Sequence, residues 1–278
     1  MITKTALVQL NASDDPAANL PVTQGFIREA ALGGAQFVLT PEVTNCLSSS
    51  RRHQQAVLQH QDEDQTLKGL RETAAEHGIW LLIGSLALKT QDADGRFANR
   101  SFLIAPDGSI KAWYDKIHMF DVQVSPTETY RESDGYRPGS RAVTAEVPFG
   151  RLGMTICYDV RFPYLHRTLT DHGATILTAP AAFSPVTGQA HWEPLLRARA
   201  IENTAYVLAP AQCGSHDSHN GKVRKTHGHS IAISPWGEVL AEAGDEPCVT
   251  FVDLDTSAVE EARQKVPSLT HTREFESP

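Results

Sequence analysis

Short apolar blocks separated by turn residues run along the first half of the chain. They predict strands because each block has only four to six residues and is bounded by Gly, Pro, Asn or Asp. A start signal at residues 14–16 predicts a helix that ends at Leu32 before two glycines, and an apolar stripe at helical spacing follows Asp62. The predicted strands are residues 6–10, 37–40, 79–84, and the pair 101–104 and 110–113, which flank an Asp107-Gly108 turn.

The second half of the chain repeats this order of elements. Helices are predicted at residues 162–172, opened by Pro163, and at residues 192–201. Between the halves, residues 115–140 are rich in Pro, Gly and Asp and are predicted to form a long functional loop. The predicted strands of the second half are 153–157, 175–178, 206–208, and the pair 230–233 and 239–241 around Trp236-Gly237.

The two halves also share local sequence. A Gly-Ala pair, a strand and a proline occur at residues 34–41 and again at 173–180, and the Ser-x-x-Ile-x-Pro-x-Gly pattern of residues 101–108 returns at 230–237. Chance reuse of common turn residues would explain either repeat alone. Both together, in the same order, favour one α/β domain, residues 1–278, built of two pseudo-twofold halves. Two such halves would pack sheet against sheet as a four-layer αββα sandwich, with a site where they meet.

Charge and cysteine content narrow the function classes. The net charge of −8 argues against a general nucleic-acid or anionic-membrane binder, which needs a basic surface. The apolar runs are too short to span a bilayer, and the first residues lack the layout of a signal peptide. The four cysteines show no paired spacing, which argues against a disulfide framework. A cytoplasmic enzyme with a small-molecule substrate is the resulting prediction.

Cys157 is the first candidate for chemistry. It ends the predicted strand 153–157, and a short turn leads from it to the helix opened by Pro163. A cysteine at such a corner is exposed at the edge of the sheet, and the positive end of the helix would favour its thiolate. The alternative is a buried structural cysteine, which is common for this residue type.

Three further residues could serve that cysteine. Glu42 follows a predicted strand, at the end of which α/β sheets place active groups. Lys116 could stabilise an oxyanion and lower the pKa of the thiol, and Glu132 could hold the lysine in place. Each could equally be an ordinary solvated side chain.

Taken together, these residues resemble the nitrilase superfamily of carbon–nitrogen hydrolases, over nearly the whole chain. The resemblance rests on the order and spacing of Glu, Lys and Cys, and it implies the αββα fold, a Glu42-Lys116-Cys157 triad and a homodimer or higher homo-oligomer formed through the helical faces. The stretches that carry it are Pro41-Glu42, Tyr114-Asp115-Lys116-Ile117-His118-Met119-Phe120-Asp121 and Cys157-Tyr158-Asp159-Val160-Arg161-Phe162-Pro163.

The turn after the cysteine is similar to the branch that holds omega-amidases and deaminated glutathione amidases. Residues 187–193 support the same branch, and residues 195–202, 211–214 and 228–230 favour the second of these two enzymes. One departure is residues 45–50, which differ from the animal enzymes and could line the pocket entrance.

The resemblance also implies a mechanism without metal or other cofactor. Glu42 takes the thiol proton, Cys157 attacks an amide, and Lys116 and the backbone N–H of Tyr158 hold the oxyanion. The expected substrate is an amide of 2-oxoglutarate, most simply deaminated glutathione, with the amides of omega-amidases as the alternative. Arg161, Phe183 and Thr187 are the predicted substrate-binding residues; Arg161 would grip a carboxylate, or alternatively pair with Asp159.

Three rival interpretations remain open at this stage. Cys213, His216, His219, His227 and His229 cluster in sequence and could bind zinc, although their spacing fits no usual zinc pattern. Cys157 could pair with His118 or His191 as a Cys–His hydrolase. A silent scaffold that keeps the fold and binds a partner is the third, and the filled triad positions argue against it.

Overall fold

The computed structural model describes residues 1–125, 128–219 and 223–278. In chain order, the strands and helices are β1 (Ile2–Gln9), α1 (Pro16–Leu32), β2 (Phe37–Leu39), α2 (Arg51–Val57), α3 (Gln65–His77), β3 (Trp80–Leu88), β4 (Ala98–Ile104), β5 (Ile110–Asp115), β6 (Asp121–Ser125), β7 (Glu128–Arg131), β8 (Val143–Val147), β9 (Gly150–Met154), α4 (Pro163–Asp171), β10 (Ile176–Thr178), α5 (Pro185–Asn203), β11 (Tyr206–Ala209), β12 (Cys213–His216), β13 (Arg224–His227), β14 (Ile231–Ile233), β15 (Val239–Glu242), β16 (Cys248–Asp255) and α6 (Ser257–Lys265).

Two sheets of six strands have the same internal order in the described part of the chain. One runs β16-β1-β2-β3-β4-β5 and the other β8-β9-β10-β11-β14-β15. In both, three central strands are parallel and every pair further out is antiparallel. Helices α1 and α3 connect the parallel strands of the first sheet, as α4 and α5 do in the second. The pseudo-twofold halves predicted from the repeated sequence are confirmed.

Successive side chains along the strands of the first sheet point to opposite faces and contribute to two different hydrophobic cores. On β1, Leu7 packs toward the second sheet, while Ala6 and Val8 pack with Ile27 of α1 on the opposite face. This period of two is what a strand buried on both faces requires. The core shared by the two sheets also contains α4 and α5 residues such as Leu169 and Leu196. The αββα sandwich is therefore confirmed.

Helix α1 shows why the sequence signals were reliable here. The side chain of Asp15 caps its first turn by accepting a hydrogen bond from the Ala17 N–H at 2.9 Å, and Pro16 occupies the first helical position. The backbone N–H of Gly33 closes the helix on the carbonyl of Glu29. The predicted start and end agree with the structure.

Two polar segments are more ordered than predicted. The predicted loop at 115–140 contains the antiparallel pair β6 and β7, and the histidine-rich segment at 213–229 contains the antiparallel ribbon of β12 and β13. Their ladders bury few side chains, so the hydrophobic pattern does not reveal them. Residues 126–127 and 220–222 lie outside the described residues.

Two element boundaries were also wrong. Strand β9 ends at Met154, so Cys157 begins a short 3₁₀ turn, Cys157–Arg161, instead of ending a strand. Helix α5 begins at Pro185, seven residues before the predicted start, and includes Gly188, where a Cβ would lie 2.2 Å from Cγ of His227. Close packing therefore explains a glycine inside this helix.

None of the helices in the described residues combines the length and apolarity needed to cross a membrane.

Candidate active site

Three strand ends from the two sheets meet at one cavity of ≈ 330 Å³. Glu42 lies just beyond β2 and Lys116 directly beyond β5, both in the first sheet, whereas Cys157 lies beyond β9 in the second. Glu132, predicted to support the lysine, also lines the cavity. The structure thus brings together the four residues predicted to carry the chemistry, at the junction of the halves.

Lys116 is the electrostatic centre of this cavity. Its side chain is only 2% exposed, and its Nζ donates to Oε1 of Glu42 at 2.8 Å and to both carboxylate oxygens of Glu132 at 2.9 Å. Burial lowers the pKa of a lysine, but the charges of Glu132 and Glu42 outweigh that effect and raise the pKa of Lys116 well above its ordinary value. Lys116 therefore stays protonated.

Glu42 is held at both carboxylate oxygens. Besides Lys116, Oε1 accepts from Nδ2 of Asn99 at 2.9 Å, and Oε2 accepts from the backbone N–H of Ala182 at 2.9 Å. Burial alone would raise the pKa of Glu42, but the Lys116 charge and hydrogen bonds from Lys116, Cys157 and Asn99 hold that pKa below its ordinary value. Glu42 is therefore an ionised carboxylate next to the cysteine sulfur, which suits a general base.

Cys157 occupies a left-handed backbone conformation, with φ of 49°. Val43, immediately after Glu42, has the same φ of 49°. Non-glycine residues rarely adopt this region, and a β-branched residue such as valine is a clear outlier there. Cys157 and the residue next to Glu42 thus both lie at sharp, strained corners, and such strain in proteins tends to concentrate at functional sites.

The thiol of Cys157 is not ionised in the resting site. Burial raises its pKa well above the ordinary value, and the charge of Glu42 adds to this against the opposing effect of Lys116. Lys116 does lower the pKa of the thiol, as expected, but burial and Glu42 outweigh it, so the predicted thiolate is not favoured. The site thus holds a neutral thiol beside an ionised carboxylate that could accept its proton.

Asp159 connects the 3₁₀ turn at Cys157–Arg161 to the segment that carries Lys116 through hydrogen bonds. It is fully buried and accepts from the Tyr114 hydroxyl at 2.7 Å, the Ile156 backbone N–H at 2.9 Å and Nδ1 of His118 at 2.6 Å. The alternative in which Asp159 pairs with Arg161 is wrong, because the carboxylate is occupied by these three donors.

The remaining cavity wall contains predicted and unpredicted residues. Tyr158, Phe183 and Thr187 line it as predicted, and Ser48 and Ser49 confirm that the unusual segment at 45–50 reaches the cavity. Sequence reasoning missed other wall residues, among them Asn99, Phe120, Arg131, Tyr136, Ala182 and Arg224. Only Asn99 carried a usable signal, as an amide inside the apolar strand β4.

Comparison with known proteins decides the family. The sequence profile of the family described as carbon-nitrogen hydrolase matches residues 4–264. The chain belongs to the carbon-nitrogen hydrolase family. It is 39% identical over 269 residues to the deaminated glutathione amidase of Yersinia enterocolitica, covering 96% of this chain and 92% of that protein. It is 37% identical over 264 residues to the human omega-amidase NIT2, covering 95% and 92%.

Solved structures agree with this assignment. The Caenorhabditis elegans NitFhit protein has a TM-score of 0.89 at 34% identity; the match covers 98% of this chain and 65% of that longer chain. Saccharomyces cerevisiae Nit3, a member of branch 10 of the nitrilase superfamily, has a TM-score of 0.83 at 30% identity, covering 96% and 94%. The protein is thus a carbon–nitrogen hydrolase of the nitrilase superfamily with the predicted fold.

In this carbon–nitrogen hydrolase, Arg161 is not among the described residues that line the cavity. Its guanidinium carbon lies 5.8 Å and 5.5 Å from the ring centres of Tyr158 and Phe183, and one of its nitrogens lies 3.3 Å from Nδ1 of His191. These distances place the guanidinium against two rings of the wall. A role in binding a carboxylate remains a prediction.

A Cys–His pair receives no support from the described contacts of this hydrolase. The two ring nitrogens of His118 contact Asp159 and the hydroxyl of Tyr164, while Nδ1 of His191 contacts Arg161. The side-chain hydrogen bond of Cys157 instead involves Glu42.

The predicted zinc ligands at 213–229 do not converge in the described part of the chain. The metal-ligand group that the described residues do bring together is Asp14, His53 and His219. There, Nε2 of His53 lies 2.8 Å from the backbone oxygen of Asp14, which can only accept, so this nitrogen carries a proton. The two histidine rings are also stacked at 3.8 Å, an arrangement that does not direct both lone pairs at one ion.

Proposed function

We propose that this hydrolase is a cysteine-dependent amidase that cleaves deaminated glutathione into 2-oxoglutarate and Cys-Gly. The observation that carries the proposal is the arrangement of a protonated, buried Lys116 between two carboxylates, with Cys157 beside one of them. The similarity to the Yersinia enterocolitica deaminated glutathione amidase supports the choice of substrate.

In the first half-reaction, Cys157 attacks the amide carbonyl while its proton passes to Glu42. The carbonyl oxygen becomes an oxyanion that Lys116 and the backbone N–H of Tyr158 stabilise. Glu42 then returns its proton to the departing nitrogen as the carbon–nitrogen bond breaks. The products of this step are a thioester on Cys157 and a free amine.

In the second half-reaction, Glu42 removes a proton from water, and the hydroxyl oxygen forms a bond to the thioester carbon. The same oxyanion site is used again. The carbon–sulfur bond breaks, the proton on Glu42 goes to the sulfur, and a carboxylic acid is released. A crystal structure of a Nesterenkonia amidase, 25% identical with a TM-score of 0.77, has acrylamide added at its active-site cysteine, which supports a nucleophilic role for Cys157.

A second substrate class is favoured by one comparison. The human relative named omega-amidase supports hydrolysis of the simple amides 2-oxoglutaramate and 2-oxosuccinamate. Both substrate classes present a carboxylate beside a 2-keto group, which Arg161 would bind, with Phe183 and Thr187 shaping the adjacent wall.

The decisive experiment measures kcat/KM over deaminated glutathione, 2-oxoglutaramate, 2-oxosuccinamate, N-carbamoyl amino acids and simple nitriles. The proposal expects deaminated glutathione to have the highest value. A preference for either simple amide would support the omega-amidase alternative. No turnover of any of them, together with alkylation of Cys157 no faster than that of Cys46, would support the silent scaffold.

We also propose that the protein works as a homodimer or higher homo-oligomer through its helical faces, in a reducing cytoplasm. All four cysteines are free, which suits a compartment where thiols stay reduced. Light scattering should give at least twice the chain mass of 30.4 kDa; a monomer at micromolar concentration would contradict the assembly.

A further inference from the structure

Arg224 differs from the other cations of the cavity wall. It donates a hydrogen bond to the backbone oxygen of Ala182 at 3.3 Å, and among the side chains that the structure describes no carboxylate forms an ion pair with it. Lys116 is shared by two carboxylates, and the charge of Arg131 acts on Asp121. Arg224 therefore presents a half-buried guanidinium whose charge the described carboxylates do not neutralise.

Ala182 links this guanidinium to the general base. The backbone N–H of Ala182 donates to Oε2 of Glu42 at 2.9 Å, and its carbonyl accepts from Arg224. The backbone of a single residue thus separates the two side chains. Because Glu42 protonates the departing nitrogen, the leaving group must extend along this side of the cavity.

The cavity wall also has a charge opposite to that of the whole chain. Its charged residues are three cations and two carboxylates, whereas the chain has a net charge of −8. Both carboxylates are already bound by Lys116. A desolvated anion on the substrate would find its missing partner in Arg224.

We infer that Arg224 is a specificity-determining residue that binds a carboxylate at the far end of the leaving group. This inference rests on the proposed amide hydrolysis, and it names the leaving-group class: a short amine that ends in a carboxylate, as a dipeptide does. A dipeptide spans at most about 7 Å from its amine to its carboxylate. The path from Glu42 to Arg224 is of comparable length, because it consists of the backbone of Ala182 and two hydrogen bonds. The carboxylate on the acyl side is a separate matter, assigned above to Arg161.

The test compares Arg224→Ala, Arg224→Lys and wild type on two substrates. One is deaminated glutathione, and the other is the same compound with its terminal carboxylate converted to a carboxamide. Arg224→Ala should lower kcat/KM for the carboxylate substrate by roughly ten- to a hundredfold, the range for losing a charged hydrogen bond, and change the carboxamide substrate by only a few-fold. Arg224→Lys should recover part of the loss, because it keeps the charge without the paired geometry.

The matched control is Lys225→Ala. Lys225 is the next residue on β13, is exposed, and points to the opposite face of the ribbon. For both substrates, kcat/KM of Lys225→Ala should equal that of wild type. Equal losses on both substrates with Arg224→Ala would overturn the inference, since they would mean that Arg224 merely supports Ala182 and Glu42.

A second measurement does not depend on turnover of deaminated glutathione. Glycylglycine should protect Cys157 from iodoacetamide at lower concentration than glycylglycinamide does, and Arg224→Ala should abolish this difference. If wild type fails to cleave deaminated glutathione but the difference in protection holds, the proposed substrate fails and the role of Arg224 stands. If cleavage occurs and protection by the two dipeptides is equal, the role of Arg224 fails and the proposed function stands.

Discussion

At the scale of single residues, Lys116 and its two carboxylates explain the resting state of the site. The three side chains together carry one negative charge, located beside Cys157, and a second negative charge on the sulfur would be unfavourable in a buried cavity. Transfer of the thiol proton to Glu42 keeps the total charge of the cluster constant. The site therefore favours proton transfer during attack over a permanently ionised thiol.

Replacement of the nucleophile tests this interpretation most directly. Cys157→Ser should reduce kcat by roughly a thousandfold or more, because a hydroxyl is a much weaker acid than a thiol and Glu42 is a weak base. The thermal unfolding midpoint should remain close to that of wild type, since the two side chains are almost isosteric. Single-turnover kinetics and calorimetry measure the two effects. A fall in kcat of only a few-fold would contradict the thiol mechanism.

Arg161 can be tested by a change that keeps its charge. Arg161→Lys should cost roughly one to three kcal/mol in kcat/KM on a 2-oxo acid amide, because lysine cannot form the two parallel hydrogen bonds of a guanidinium. An analogue without the acyl-side carboxylate should be affected much less. The comparison requires kcat/KM for both compounds with both proteins. Equal losses would show that Arg161, which lies against the rings of Tyr158 and Phe183, shapes the catalytic turn instead.

At the scale of elements, the central strands and their hairpins could be predicted, but one edge strand of each sheet could not. Strands β2, β3 and β10 are buried on both faces and read as continuous apolar runs. Strands β8 and β16 lie at edges and are only partly buried, so their pattern is weak and sequence reasoning missed them. The pairing of an edge strand is decided by its neighbour in the sheet, which its own residues do not encode strongly.

Helix α4 contains a buried histidine that should make the protein sensitive to acid. Burial lowers the pKa of His166 to about 4, from an ordinary value near 6.5, so the unfolded chain binds a proton in this interval that the folded chain does not. Stability should therefore fall as the pH drops from about 6.5 to about 4, by on the order of 3 kcal/mol for this group.

The measurement is urea unfolding of wild type and His166→Gln between pH 4 and pH 7. The free-energy advantage of wild type over the variant should shrink as the pH falls, because glutamine has no proton to gain. Burial also lowers the pKa of His216 to about 4. Because His216 is present in both proteins, its contribution cancels in the difference between their unfolding free energies. A pH-independent difference between the two proteins would contradict the prediction.

At the scale of the whole molecule, the repeated sequence predicted the symmetry, and the symmetry located the site. The proposed triad residues could be found because their order and spacing resemble those of the nitrilase superfamily, although each was ambiguous on its own. Asn99, Ala182 and Arg224 could not be found in the same way, since they reach the cavity from three separate parts of the chain that only the folded structure brings together. The supporting contacts of a site depend on tertiary packing, which local pattern does not report.

The catalytic chemistry proposed for the whole molecule uses only side chains and a backbone N–H of this chain. Prolonged treatment with a chelator should therefore leave kcat/KM unchanged, because Lys116 and a backbone N–H supply the electrostatic stabilisation that a metal ion could otherwise provide. Activity before and after dialysis against chelator, with zinc added back, is the measurement. Loss of activity that zinc restores would return attention to the histidines at 213–229 or to the group formed by Asp14, His53 and His219.

The left-handed backbone at Val43 and Cys157 has a consequence for attempts to make the protein more heat-resistant. Each such residue costs on the order of 1–2 kcal/mol, which a glycine would recover. A glycine at position 157 would relax the backbone but remove the sulfur, and a glycine at position 43 would also remove a buried side chain beside Glu42. Thermal selection has to be coupled to turnover here, because both of these strained positions lie at the cavity.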